Sequence, residues 1–128
     1  MKVLSFVFLF IFAWNASGQT PTVDELFAEG TSYANAGNFD AALTSYKSAL
    51  AAAEKTYAGK ESRARLHYNI GLCYFQLDRF EPAANEFKRA MLLKPDFAQA
   101  YFALDQAKSR AQAGENLNVA VVPATVGN

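Results

Sequence analysis

The chain holds one histidine, His67, and one cysteine, Cys73, so its reactive inventory is short. A lone cysteine cannot close an intramolecular disulfide. Cys73 stands two residues past Gly71 and one before Tyr74, where paired helices need a small side chain, and is expected to be a buried, inert thiol. A lone histidine cannot complete a metal site that needs two imidazoles, and His67 is expected to be packed or half-buried, facing the preceding helix. No serine or cysteine carries the signature of an activated nucleophile. Neither a glycine-rich phosphate loop nor zinc-ligand spacing occurs. The sequence thus offers no catalytic, cofactor-binding or metal-binding residue, and the chain is read as a non-enzyme without a cofactor. What remains is recognition by aromatic, amide and charged side chains, which depends on the elements that carry them.

Those elements show as a repeated pattern. Gly30, Tyr33, Gly37, Phe39, Ala42, Tyr46 and Ala49 are followed by Gly71, Tyr74, Phe80, Ala83, Phe87, Ala90 and Pro95. In each copy the offsets from glycine are three to the tyrosine, twelve to the first alanine, sixteen to the next aromatic and nineteen to the last alanine. Apolar residues recur at helical spacing around these marks. Thr22-Val23-Asp24-Glu25 has the spacing of a capping box, so the first helix is expected to open there. Asn35 to Asn38 is the turn, with Gly37 suited to a left-handed closing residue. A second helix runs from about Phe39 to Thr56. The second pair is expected to start near Ser62 as N-cap, turn at Leu77-Asp78-Arg79, tolerate Pro82 early in its helix, and stop at Lys94-Pro95. The two glycines lie 41 residues apart, and the excess over a repeat of about 34 residues falls between Ala51 and Arg63. A last helix is expected to begin at Asp96, whose spacing to Gln99 again suggests a capping box. From Gln112 onward no helical pattern is evident, and an apolar stretch from Leu117 to Val126 is interrupted by Pro123.

The N-terminus carries a different signal. Lys2 is followed by an apolar run from Val3 to Trp14 broken only by Ser5, then by the small and polar Asn15-Ala16-Ser17-Gly18. That order is expected of a signal peptide cleaved before Gln19. The run falls short of the ~20 residues of a spanning helix, which argues against an uncleaved anchor. The protein is therefore expected to be exported to a bacterial periplasm or medium, with no membrane span after cleavage. Lys and Arg together number 12, as do Asp and Glu, so the mature chain is slightly negative once Lys2 is removed. It lacks the net positive field of a general nucleic-acid binder.

From about Val23 to Arg110 the sequence resembles the tetratricopeptide repeat family. The resemblance implies an all-α fold of helix-turn-helix repeats, a fragment of an α-solenoid. It divides the chain into a signal peptide (1–18), a repeat domain (19–111) and a flexible tail (112–128). Within the domain it implies one repeat at about 23–56, a second at about 64–97 and a capping helix at about 98–111. The second copy keeps every small and proline position, whereas Glu54 replaces the closing proline of the first. Asp105 and Lys108 stand where a third repeat would have glycine and tyrosine, as suits a capping helix with a wet outer face.

The resemblance further implies a concave groove, lined by the first helix of each pair, that binds a protein or peptide partner. Carried onto this chain, its positions are Asp24, Phe27, Thr31, Ala34 and Asn35, then Arg65, Tyr68, Asn69, Leu72, Phe75 and Gln76, then Gln99, Phe102, Ala103, Gln106 and Arg110. Of these, Phe27, Thr31, Arg65, Tyr68, Asn69, Leu72, Phe75, Phe102, Gln106 and Arg110 form the candidate partner site, with Asn69 holding a ligand backbone group. Of the family's carboxylate-clamp residues only Asn69 is present, so a chaperone-tail clamp is not expected. Phe27, Tyr68, Phe75 and Phe102 are expected to be exposed unless covered by one another, by the tail or by a second copy. The alternative to a partner-binding groove is thus a self-associating structural unit.

Overall fold

Five helices follow one another in the computed structural model, which describes residues 18–120, with side chains to residue 115. They are α1 (Val23–Asn35), α2 (Phe39–Lys55), α3 (Lys60–Gln76), α4 (Phe80–Leu93) and α5 (Ala98–Ala120), with no strand among the described residues. The fold is all-α. The signal-peptide expectation falls on residues outside those described, apart from Gly18, as does the tail from residue 121 onward.

Each helix packs on the next, and α3 also touches α5. Gly30 and Gly71 make the two tightest approaches. A Cβ on Gly30 would lie 2.7 Å from Tyr46 Cδ1, and one on Gly71 would lie 2.6 Å from Phe87 Cε1. In both repeats a ring from the second helix fills the space that the glycine leaves in the first. One core cluster joins Ala42, Leu43, Tyr46, Ala49 and Ala53 of α2 to Leu66, Ile70 and Cys73 of α3. The other joins Ala83, Ala84 and Phe87 of α4 to Ala103, Leu104 and Ala107 of α5.

The expected capping box opens α1: Glu25 N–H donates to Thr22 Oγ1 at 3.2 Å, and Thr22 N–H donates to Glu25 Oε2 at 2.8 Å. Three helices then close alike. Gly37 (φ 76°), Tyr57 (φ 53°) and Asp78 (φ 58°) each adopt the left-handed conformation. The following amide donates back across the turn, Asn38 to Tyr33 O, Ala58 to Ala53 O and Arg79 to Tyr74 O, each at 2.9 Å. This is the wide hydrogen bond of a Schellman closure. It satisfies end carbonyls even where the left-handed residue is not glycine.

The seven extra residues between Gly30 and Gly71 lie in helix. α2 has 17 residues against 14 in α4, and α3 has 17 against 13 in α1. The loops after α2 and α4 are equal in length, so three of the seven residues lengthen α2 and four extend the start of α3.

Three boundaries differ from expectation. α3 begins at Lys60 with Gly59 as N-cap and no side-chain cap, so Ser62 lies inside the helix. The early start is fixed from behind: the Tyr57 closure reverses the chain within four residues, leaving no room for a loop to Ser62. α5 begins at Ala98, and Asp96 stands in the turn before it. Phe97 O takes the first amides, from Ala100 at 3.0 Å and Tyr101 at 3.4 Å, because the Phe97 ring is anchored 4.9 Å from that of Tyr68. α5 also continues past Ala111 to Ala120. Residues 112–120 contain no proline to break the helix.

Candidate functional site

The first helix of each pair, α1 and α3, together with α5, places the candidate residues in three neighbourhoods. Between α1 and α3, Val23, Asp24 and Phe27 face Ser62, Arg65 and Leu66 across a shallow depression of about 50 Å³. The Arg65 guanidinium lies 5.0 Å from the centre of the Phe27 ring, and Phe27 tilts on Tyr46 at 5.5 Å. Phe27 and Arg65 therefore meet, and the cation covers the ring.

Between α3 and α5 lies a more open groove of about 460 Å³, lined by Tyr68 and Leu72 on one side and by Ala98, Gln99, Phe102, Ala103 and Gln106 on the other. Spacing explains the α5 side. Residues 99, 102, 103 and 106 recur three and four apart, so they share one helix face. The Tyr68 ring is held at 5.7 Å from Phe87 and 4.9 Å from Phe97, and burial raises its phenol pKa. Phe102 is 67% exposed, the most open phenylalanine in the described core and groove.

At the far end, Phe75 meets Phe80 edge-on at 5.2 Å, and the Arg110 guanidinium stands 5.9 Å from the same Phe80 ring. Two candidates are committed to their own chain. Thr31 Oγ1 donates to Phe27 O at 2.9 Å and shares a 3.0 Å hydrogen bond with the Tyr46 hydroxyl. Asn69 Nδ2 donates to Arg65 O at 2.8 Å, which engages one N–H of the amide expected to hold a ligand backbone.

The structure thus brings Tyr68, Leu72, Phe102 and Gln106 into one groove. Phe27 pairs with Arg65, and Phe75 shares Phe80 with Arg110. The expectation of four open aromatics holds for Phe102 alone. Phe27, Tyr68 and Phe75 are half-buried, covered by rings from α2, α4 and the turn before α5. Ala98, one turn before Phe102, is a groove residue that the positions carried over from the family did not include. A larger depression of about 770 Å³ lies where residues 20–24 pass Ser48, Ala51, Ala52, Lys55 and Thr56, and it has no aromatic wall.

The two reactive residues are packed away. Cys73 is buried, and burial pushes its thiol up to about 11. His67 is buried with Nδ1 at 2.7 Å from Glu86 Oε2. Its partner is therefore on the following helix α4, not the preceding one. Arg89 donates to the other oxygen of Glu86 at 3.2 Å. Among the described residues no three His, Cys, Asp or Glu side chains gather as a metal site, and no helix is long and apolar enough to cross a membrane.

The glycine-on-ring contact, repeated with the same offsets in two antiparallel helix pairs, has its counterpart in sequence comparison. The tetratricopeptide repeat family matches residues 26–94, more than half of the chain. This chain is a member of the tetratricopeptide repeat family. No curated protein matches it. Tetratricopeptide repeats are in general non-catalytic protein-interaction modules, so membership points to protein partners. The match spans both repeats and stops short of α5, so five of the seven residues lining the groove belong to a helix outside it.

Proposed function

We propose that this tetratricopeptide repeat protein docks an apolar segment of a protein partner between α3 and α5, and that it does so after export. The observation that supports the groove is Phe102, 67% exposed beside Tyr68 and Leu72 on a surface with no charged lining residue. A large aromatic left open in a concave site supplies much contact area, and such residues dominate interface energetics. Arg65 and Arg110 stand beyond the groove ends, each over a ring, where solvated charge steers association more than it adds affinity. Support for export is the order of Lys2, the Val3–Trp14 run and the small residues before Gln19. The place of action is then the periplasm or the medium, the module is non-enzymatic, and no nucleic acid is bound.

Affinity capture with the mature protein, followed by identification of what co-purifies, tests the groove. Tyr68→Ala with Phe102→Ala is expected to weaken a captured partner by ten-fold or more, on the order of 2 kcal/mol for an aromatic anchor. Unchanged affinity removes this face as the binding site. N-terminal sequencing of the exported form is expected to begin at Gln19; Met1 on a membrane-bound form favours an anchor.

A second reading, self-association, is favoured by the repeat number. Two repeats and an unpaired α5 bury little surface for a solenoid, which usually needs three repeats.

A further inference from the structure

The groove between α3 and α5 selects its ligand by what it lacks. Its polar side chains are the amides of Gln99 and Gln106 and the phenol of Tyr68, and none of its lining residues is charged. A charged segment would lose water there with nothing to pair it, whereas an uncharged apolar segment loses little. The chain contains such a segment, since residues 117–126 carry no Asp, Glu, Lys, Arg or His. Pro123 lacks a backbone N–H, and its fixed φ suits the residues around it to an extended pose in a groove.

The part of that segment after Ala120 is too short to reach Phe102 of its own molecule. α5 remains helical to Ala120, and at a rise of about 1.5 Å per residue Ala120 stands about 27 Å along the axis from Phe102. The residues from Val121 to Val126, fully extended, span at most about 22 Å. A chain turning back at Ala120 would stop short of Phe102, with Val121 and Val122 still near the helix end. α5 is thus both a wall of the groove and a spacer of about 27 Å between its Phe102 and Ala120. The same geometry presents the segment to a neighbour.

We propose that residues 117–126 of one copy dock in the α3–α5 groove of a second copy, against Tyr68, Leu72 and Phe102. This rests on the reading of the groove as a site for apolar segments, and names the partner as this same chain. The contact joins two different surfaces, so it is heterologous: two copies close by exchanging segments reciprocally, and otherwise the contact propagates. Either arrangement covers Phe102 and lends the short solenoid surface that two repeats do not supply.

The test measures the mass of the mature chain, residues 19–128, by light scattering over a range of concentrations. The wild type is expected to rise from monomer toward dimer or larger. Phe102→Asp and, separately, Val122→Asp are each expected to remain monomeric, with unchanged helical circular dichroism because Phe102 is exposed and Val122 follows the described helix in sequence. Each variant keeps one of the two surfaces, so an equimolar mixture is expected to form a complex that neither forms alone. Gly114→Ala stiffens the helix that would have to unwind for a lid within one molecule, and is expected to preserve or strengthen association. A monomeric wild type at all concentrations, association retained in both single variants, a mixture that stays monomeric, or association lost in Gly114→Ala each overturns the proposal. If it is overturned while Phe102→Ala still abolishes capture of a different protein, self-docking falls and the groove reading stands.

Discussion

The two repeats share a backbone plan and differ in what stabilises it. In the first, α1 opens with a reciprocal side-chain cap and closes on Gly37, and its central ring, Tyr46, carries a hydroxyl bonded to Thr31. In the second, α3 has no side-chain cap, its turn closes on Asp78, and the central ring Phe87 is wholly apolar and fully buried. A buried His67–Glu86 contact at 2.7 Å and the exposed Lys94–Glu61 pair at 2.7 Å tie the second pair together. Both repeats thus have side-chain contacts between their helices, Ser45 Oγ donating to Glu29 Oε2 at 3.1 Å in the first as well, but only the first adds side-chain caps to them. Substitutions that spare one repeat should therefore expose the difference.

The largest effect belongs to the rings. Phe87→Ala empties the space over Gly71 and is expected to cost about 3–5 kcal/mol, as buried phenylalanine truncations do. Tyr46→Phe keeps its ring over Gly30 and loses only the hydroxyl contact to Thr31, which still donates to Phe27 O, so about 1 kcal/mol is expected. Denaturant unfolding of the two variants separates shape from hydrogen bonding. Equal costs would mean that the rings do not fill equivalent places.

Next comes the buried pair of the second repeat. Glu86→Ala leaves His67 Nδ1 without its partner in a site only 9% exposed. The expected cost is about 1–3 kcal/mol, the penalty of a stranded buried polar group. Lys94→Ala, which breaks a pair reaching the exposed Glu61, is expected to cost well under about 1 kcal/mol. A larger loss in Lys94→Ala than in Glu86→Ala would reverse the ranking of buried over exposed contacts.

Alkaline pH should act on the first core before the second. Cys73 and Tyr46 belong to the first cluster, and burial raises both, Cys73 from 9.0 to about 11. A folded pKa above the unfolded one gives stability that is complete below the unfolded pKa and is lost as pH rises through the folded value. Stability should therefore begin to fall above about pH 9, where the unfolded thiol ionises. The buried set of the second cluster holds neither thiol nor phenol, and the raised phenol beside it, Tyr68, is half-buried in the groove. Amide exchange across pH 8–11 is expected to show protection lost first in α2 and the α3 residues around Cys73. Loss beginning in α4 and α5 would contradict the assignment.

The fold was legible where a residue type has one physical use. Glycine against a ring, the Thr22–Glu25 box and the left-handed Gly37 all announce themselves by type and spacing. The other two Schellman closures do not, because Tyr57 and Asp78 occupy the left-handed region at some cost and carry no glycine to mark it. The start of α3 was missed for the same reason: the Tyr57 closure fixes it, whereas Ser62 only resembled a cap. At the candidate site, position in a repeat foretold which residues lie on the first-helix surface. It did not foretell which are already occupied. Asn69 and Thr31 bond to their own helices, and the rings covering Phe27, Tyr68 and Phe75 come from elements 5 to 29 residues away in sequence.

The smallest predicted effect tests the missing cap. Gly59 is the N-cap of α3 with φ −55° and ψ 152°, no side-chain hydrogen bond, and no atom within 4 Å of an added Cβ. Its backbone is thus ready for a capping residue without strain. Gly59→Asn supplies an acceptor for an orphan amide of the first turn and should stabilise by only a few tenths of a kcal/mol, since glycine is itself a tolerable N-cap. The reference is Thr22→Ala in α1, expected to cost about 1 kcal/mol because a working cap is lost. Thermal unfolding of both variants reads the two repeats on one scale. A gain from Gly59→Asn as large as the Thr22→Ala loss would show that the bare start of α3 frays, and that α3 limits the stability of the groove it lines. A loss on Gly59→Asn would mean that the added side chain is not free to cap, and that the extra turn of α3 is held by its packing alone.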